Sequence, residues 1–315
     1  MAERKPPGSE SLYRGPSAAP RDKRERERDR ERRPPDADGY PRTPPLARDP
    51  AASRRPLHRD PAARDAATPR PVAEQRVYGL NACLALFAKR PEAVRKVWLL
   101  ESRIAALKPV LAHCVKQRLG YTVVEAEDLE RLSGSAHHEG VVFGAMPAQE
   151  LSLTAWLQAL ATGPQLALWL DGVGNPHNMG AILRSAAHFG VAGLLLSQAS
   201  PLALSGAAAR VAEGGAEVVP IVRLDRNDQA LTQLQSAGFV VAATMVRGGG
   251  SLYATKLPER LVLLMGAEHS GVDAELARAS TLKLVIPGSG AVESLNVASA
   301  TSVLLSEWTR QQQRS

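Results

Sequence analysis

From about residue 76 onward, short apolar runs alternate with stretches of helical period. The clearest runs are residues 166–170, 193–196, 218–222, 240–243, 261–265 and 282–286. Apart from Lys283 in the last, they are apolar without alternation, which is the pattern of strands covered on both faces. Helical segments separate most of them, and a last helix is expected from about 295 to 310. This predicts an α/β fold with a parallel sheet and helices on both sides. In such sheets a ligand sits beyond the carboxyl ends of the strands, so the loops just after strands are the informative ones.

A smaller α/β unit precedes this one. Val77-Tyr78-Gly79-Leu80 leads into an amphipathic helix ending near Lys89. Strands are expected at 96–100, 121–124 and 141–145. A helix is expected at 103–118, with Leu107, Val110, Leu111, Cys114 and Val115 on its apolar face. The division expected is a tail over 1–72, a small α/β domain over 76–147, a linker with a helix containing Trp156 over 148–164, and the larger domain over 165–315.

Charge changes the picture only at the N-terminus. Residues 1–70 carry 18 Lys and Arg against 12 Asp and Glu, so nearly all of the chain's net charge of +7 lies there. Pro, Arg, Asp and Ala dominate this tail, too few apolar groups to offset chain entropy, and disorder is expected. It reads either as an RNA-attracting arm or as a solubilising extension. The low aromatic content, 4%, argues against gripping single strands mainly by stacking. The two cysteines, Cys83 and Cys114, read as small core residues, and no CxxC suggests zinc. The N-terminus shows no signal peptide and no apolar run is long enough to span a membrane, so a cytoplasmic location is expected.

Three segments carry candidate chemistry. The first, Asn175-Pro176-His177-Asn178-Met179-Gly180-Ala181-Ile182-Leu183-Arg184, follows the strand ending near Asp171. Asn178 is placed to cap a helix starting near Gly180, with Arg184 in its second turn. A helix start after a strand suits an anion, and Arg adds a bidentate fork. The second, Met265-Gly266-Ala267-Glu268-His269-Ser270-Gly271, directly follows an apolar strand, and its glycines permit close backbone approach to a ligand. The third runs Ile286-Pro287-Gly288-Ser289-Gly290 to Ser294-Leu295-Asn296-Val297. Ser294 is placed to cap the final helix, with Asn296 and Ser299 on its first turns, where polar groups and free N–H groups suit an amino-acid-like ligand. Neither a dinucleotide nor a phosphate-loop fingerprint is present. Gly214-Gly215 and Gly248-Gly249-Gly250 read as plain loops.

In this order and spacing, the three segments resemble the signature motifs of the SpoU/TrmH RNA methyltransferases of the SPOUT class. The resemblance rests on Asn178, Gly180, Ala181 and Arg184; on Gly266, Glu268 and Gly271; and on Ile286, Pro287, Gly290, Ser294, Leu295, Asn296 and Val297. The first unit resembles the family's small substrate-binding domain, through Tyr78-Gly79 and His138-Glu139-Gly140-Val141-Val142. Gly288 departs from the Met common after Ile-Pro, and His269 and Ser270 also differ from the usual residues. The resemblance implies a C-terminal trefoil knot whose loops hold S-adenosyl-L-methionine. Gly266, Ile286, Pro287, Gly288 and Leu295 would line that pocket, and Gly271 would shape it. It implies methyl transfer to a ribose 2′-hydroxyl in rRNA or tRNA without a metal. Arg184 would position phosphate and ribose, with Asn178, Glu268, Ser294 and Asn296 as orienting groups. It further implies a homodimer in which each site lies near the partner's first motif. The alternative is a non-catalytic RNA-binding protein on the same scaffold, for which Gly288 is the one hint.

Overall fold

The computed structural model describes residues 73–267 and 270–313. The expected tail, Glu268 and His269 therefore lie outside the described residues.

The small domain comprises β1 (Gln75–Tyr78), α1 (Leu80–Lys89), β2 (Val94–Leu99), α2 (Lys108–Gln117), β3 (Gly120–Val123), α3 (Ala126–Ser133) and β4 (Val141–Ala145). Its sheet order is β1-β4-β2-β3. β4 runs antiparallel to both β1 and β2, while β3 is parallel to β2. Val77, Leu86, Val97, Leu99 and Phe143 form its core together with Cys83 and Cys114, both buried. The expected helix at 103–118 starts only at Lys108. Pro109 occupies its first turn, where the missing N–H costs nothing; further inside a helix its ring would clash with the preceding turn. Val115, expected on the apolar face, is 66% exposed. Helix α3 was not foreseen: only Leu129 is fully buried on it, and acidic residues fill its first turn.

The larger domain continues with β5 (Leu151–Ser152), α4 (Leu153–Ala159), β6 (Gln165–Asp171), α5 (Pro176–His188), β7 (Gly193–Ser197), α6 (Gly206–Val211) and β8 (Ile221–Leu224). Then come α7 (Asn227–Ser236), β9 (Val240–Thr244), β10 (Gly250–Ser251), β11 (Arg260–Gly266), α8 (Ala274–Ala279), β12 (Leu282–Val285) and α9 (Val297–Gln312). The eight strands lie in the order β10-β12-β9-β11-β6-β7-β8-β5. Every pair is parallel.

One face of this sheet packs Leu168, Leu170 and Leu263 against Met179 and Ile182 of α5 and Leu304 and Leu305 of α9. The other packs Trp169, Leu195 and Leu264 against Trp156, Leu231, Leu234 and Leu276 of α4, α7 and α8. Each such side chain contributes about 1.5–3 kcal/mol by leaving water, so the two-sided burial fixes the register of the central strands. Residues 151–159, in the stretch expected to be linker, supply β5 at the sheet edge and Trp156 to the second core, where its indole N–H donates to the Ala192 carbonyl at 2.9 Å.

Two expectations fail at the strand edges. The strand expected from 218 starts at Ile221, after a 3-10 turn over Gly215–Glu217, and Val218 is 55% exposed. Pro220 immediately before β8 has no N–H for the ladder. In the run at 248–250, expected as a plain loop, Gly249 and Gly250 lie against β12. Gly250 pairs with Leu284 in β10, and a Cβ on Gly249 would lie 2.9 Å from the Lys283 carbonyl.

Candidate active site

Because the strands are parallel, the loops after β6, β11 and β12 leave the same edge of the sheet. β11 lies beside β6, and β9 separates it from β12. The three candidate segments are these loops.

After β6 the chain enters α5 earlier than expected. Pro176 takes the first helical position, and the Asn175 side chain caps it by accepting from the His177 N–H at 2.9 Å. Asn178 is therefore inside the first turn and does not cap. The reason is local: Asn-Pro places a good cap immediately before a residue whose fixed φ starts a helix. Arg184 consequently falls in the third turn rather than the second. It is exposed, and its guanidinium has no hydrogen-bond or ion-pair partner among the described residues. Six residues of helix turn Arg184 about 120° around the axis from Asn178.

The loop after β11 is held as a tight return. Ala267 and Gly271 exchange both backbone hydrogen bonds, at 3.1 and 2.9 Å, and Gly271 adopts φ +70°. A Cβ on Gly266 would collide with the backbone of Gly271 and Val272, so only glycine lets this strand end fold back on itself. Asp171, which the sequence reading passed over, ties this loop to the first: its carboxylate accepts from the Asp273 N–H at 2.8 Å. Asp273 in turn caps α8 through the N–H groups of Glu275 and Leu276.

In the third loop Ile286 is half-buried against the core, and residues 287–296 are exposed throughout. Ser294 does not cap α9; Asn296 does, its Oδ1 accepting from Ala298 N–H at 2.9 Å and Ser299 N–H at 3.4 Å. Both residues are good cap types, and the chain takes the later one. The Asn296 amide also donates to Oδ1 of Asn178 at 3.1 Å. One helical turn or two further on, Ser185 and Ser302 bond at 2.9 Å, a link between α5 and α9 that the sequence reading also missed. Leu295 is 47% exposed. Gly288 is exposed, and nothing lies within 4 Å of where its Cβ would be.

The structure thus joins Asn178 to Asn296 and Gly266 to Gly271, while Arg184 faces elsewhere. What the loops offer is a tight glycine return, neutral amides and an exposed apolar side chain. That donor set fits a ligand with an amino-acid end and a flat apolar-faced end. A groove of about 750 Å³ between α4 and α7, lined by Leu157, Asp228 and Thr232 among others, lies on other elements.

Comparison with known proteins bears on this arrangement. The profile of the SpoU rRNA methylase family matches residues 165–306, and that of the RNA 2′-O ribose methyltransferase substrate-binding domain matches residues 76–151. An uncharacterized tRNA/rRNA methyltransferase of Escherichia coli O157:H7, YfiF, is 40% identical over 238 residues, which are 76% of this chain and 68% of that protein. The chain belongs to the SpoU rRNA methylase family. It is an RNA 2′-O-ribose methyltransferase that uses S-adenosylmethionine. The 23S rRNA (guanosine-2′-O-)-methyltransferase RlmB of Pseudomonas putida is 34% identical over 243 residues, 76% of this chain and 97% of that one. The AdoMet-bound rRNA methyltransferase from Sinorhizobium meliloti superposes with a TM-score of 0.62 at 25% identity, covering 76% of this chain and 87% of that one.

Proposed function

We propose that the chain methylates a ribose in ribosomal RNA, holding the cofactor in the cleft between the Gly266–Gly271 return and the 286–296 loop. The observation that carries this reading is the Asn178–Asn296 hydrogen bond, which binds the first and third loops into one site. The choice of ribosomal RNA draws support from the family description and from the activity named for RlmB of Pseudomonas putida. Bound S-adenosylmethionine supplies an activated methyl group. Gly266, Gly271, Ile286, Pro287, Gly288 and Leu295 are the residues proposed to hold it.

The chain's own groups do the rest. A ribose hydroxyl is a weak nucleophile, and holding it in line accounts for much of the rate. Arg184 is not proposed as a base, because a guanidinium has no acceptor to offer. It is proposed to grip a phosphate bidentately, orient the ribose and lower the proton affinity of the 2′-oxygen. Asn178, Glu268, Ser294 and Asn296 are proposed to orient the reacting groups.

The outward position of Arg184 supports a homodimer in which Arg184 of one copy serves the cleft of the other. The return of α9 from the sheet edge onto α5 supports a trefoil knot in the C-terminal segment. The proposed division is a tail over 1–72, an RNA-holding domain over 76–147 and a catalytic domain over 165–315, to which residues 151–159 of the expected linker are added because they join its sheet and core. Among the described residues no helix is long and apolar enough to cross a membrane. A cytoplasmic location belongs to the same proposal.

The test is transfer of tritiated methyl from S-adenosylmethionine to transcribed bacterial 23S rRNA and, separately, to total tRNA. Label in the rRNA supports the proposal. Label confined to tRNA overturns the substrate class, and no label in either overturns the activity.

A further inference from the structure

Residues 206–217 are packed between the two domains, and one end of this segment lies directly beneath Arg184. On the catalytic side a Cβ on Gly215 would sit 2.6 Å from the Leu183 carbonyl and 3.1 Å from Arg184 Cα. A Cβ on Gly180, one turn earlier on α5, would sit 2.6 Å from the Ala208 carbonyl. On the other side, Ala209 is part of the small domain's core with Val77, Cys83 and Leu86. A Cβ on Gly214 would lie 2.8 Å from that of Ala85. The segment therefore touches both neighbours with backbone or near-backbone atoms, and small movements of one domain have no soft side chains to absorb them.

Polar ties reinforce the contact. Arg90, at the end of α1, grips Glu217 with two parallel bonds, Nε to Oε2 at 2.7 Å and Nη2 to Oε1 at 2.8 Å. Its remaining Nη1 donates to the Met146 carbonyl at 3.0 Å. The Glu217 side chain is only 7% exposed. Arg210 pairs with Glu139 at 3.3 Å, and the Asn81 amide donates to Glu213 at 2.6 Å. A bidentate pair is directional, fixing angle as well as distance.

We propose that Arg90 and Glu217 are positioning residues for methyl transfer: their ion pair fixes the RNA-holding domain to the backbone that seats Arg184. RNA gripped by the small domain is then presented to the reacting groups at a set distance and angle. The proposal rests on the reading that the small domain holds RNA. It differs from a general stabilising role in what it predicts for kinetics. A tether of this kind acts on alignment, so loosening it lowers the rate at saturating RNA and leaves the binding steps nearly unchanged.

The experiment uses the full chain carrying Arg90→Lys, Arg90→Glu, Glu217→Arg or the double swap Arg90→Glu/Glu217→Arg. Methyl transfer to transcribed 23S rRNA is followed at saturating RNA, with RNA and S-adenosylmethionine affinities measured separately. Arg90→Lys keeps the charge but loses the fork, and it guards against a variant that fails to fold. The expected result is a fall in kcat of about tenfold in the single charge reversals and a smaller fall in Arg90→Lys. KM for RNA and cofactor affinity should stay within about threefold, and the double swap should regain most of the rate. The proposal is overturned by folded single variants with unchanged kcat, or by a folded double swap no faster than the singles. A rise in KM with kcat unchanged also overturns it, because the pair would then serve RNA binding alone. Absence of transfer by the unaltered protein is a separate failure, of the catalytic reading itself, and the positioning role falls with it.

Discussion

The Asn296 side-chain amide donates to Oδ1 of Asn178 across 3.1 Å, joining residues 118 positions apart. The oxygen of the same amide caps α9. One side chain therefore starts the last helix and links the first and third loops. Two substitutions separate these jobs. Asn296→Ala should cost about 1 kcal/mol of stability through loss of the cap and also weaken cofactor binding. Asn296→Ser should keep the cap and most of the stability, yet still bind S-adenosylmethionine less well. Urea unfolding with calorimetric titration checks both. Binding by Asn296→Ser at wild-type strength would detach the Asn178 contact from the pocket.

Gly266 and Gly288 make a contrasting pair. Gly266→Ala forces a Cβ into the backbone of Gly271 and Val272, where nothing flexible can yield. The expected cost is about 1–3 kcal/mol, with loss of cofactor binding. Gly288 has open space around it, so Gly288→Ala should change stability by less than about 0.5 kcal/mol. Thermal unfolding of the two variants side by side checks the difference. Equal destabilisation would contradict the tight return.

Arg184→Ala should bind S-adenosylmethionine as the unaltered protein does and transfer methyl about a hundredfold more slowly. Arg184→Lys should restore little, because a point charge cannot reproduce the fork. If Arg184 serves the other copy's cleft, mixing Arg184→Ala with Gly266→Ala protein should recover activity that neither shows alone. Mixed dimers with no recovered activity would place Arg184 in its own chain's site.

Burial pushes the Cys83 thiol well above its ordinary range and raises that of Cys114 as well. Both should stay protonated at neutral and mildly alkaline pH, and only the thiolate is nucleophilic. Native protein at pH 8 should therefore leave Ellman's reagent nearly uncoloured, and urea should release both thiols. Rapid colour in the native state would contradict their burial.

The central strands were legible because burial on both faces writes an uninterrupted apolar run, as in 166–170 and 261–265. The two-residue strands β5 and β10 carry no such signal; beside β10 it is Gly249, whose Cβ would lie 2.9 Å from the Lys283 carbonyl, that lets β12 approach. Helix α3 hid because it buries Leu129 and little else. Helix starts were misread where two cap-forming residues compete: Asn175 wins over Asn178 because Pro176 follows it, and Asn296 wins over Ser294. The site's residue types were readable from the three segments. Their meeting was not, since the Asn178–Asn296 bond joins residues 118 positions apart and does not follow from local pattern.

Alkaline hydrolysis shows whether the methyl of S-adenosylmethionine goes to a ribose 2′-oxygen. RNA labelled by the protein with tritiated methyl is digested with alkali, which cleaves only next to a free 2′-hydroxyl. Label is expected in an alkali-resistant dinucleotide, and to appear there about a hundredfold more slowly when Arg184→Ala replaces the unaltered protein. Label in ordinary mononucleotides would place the methyl on a base and rule out ribose methylation.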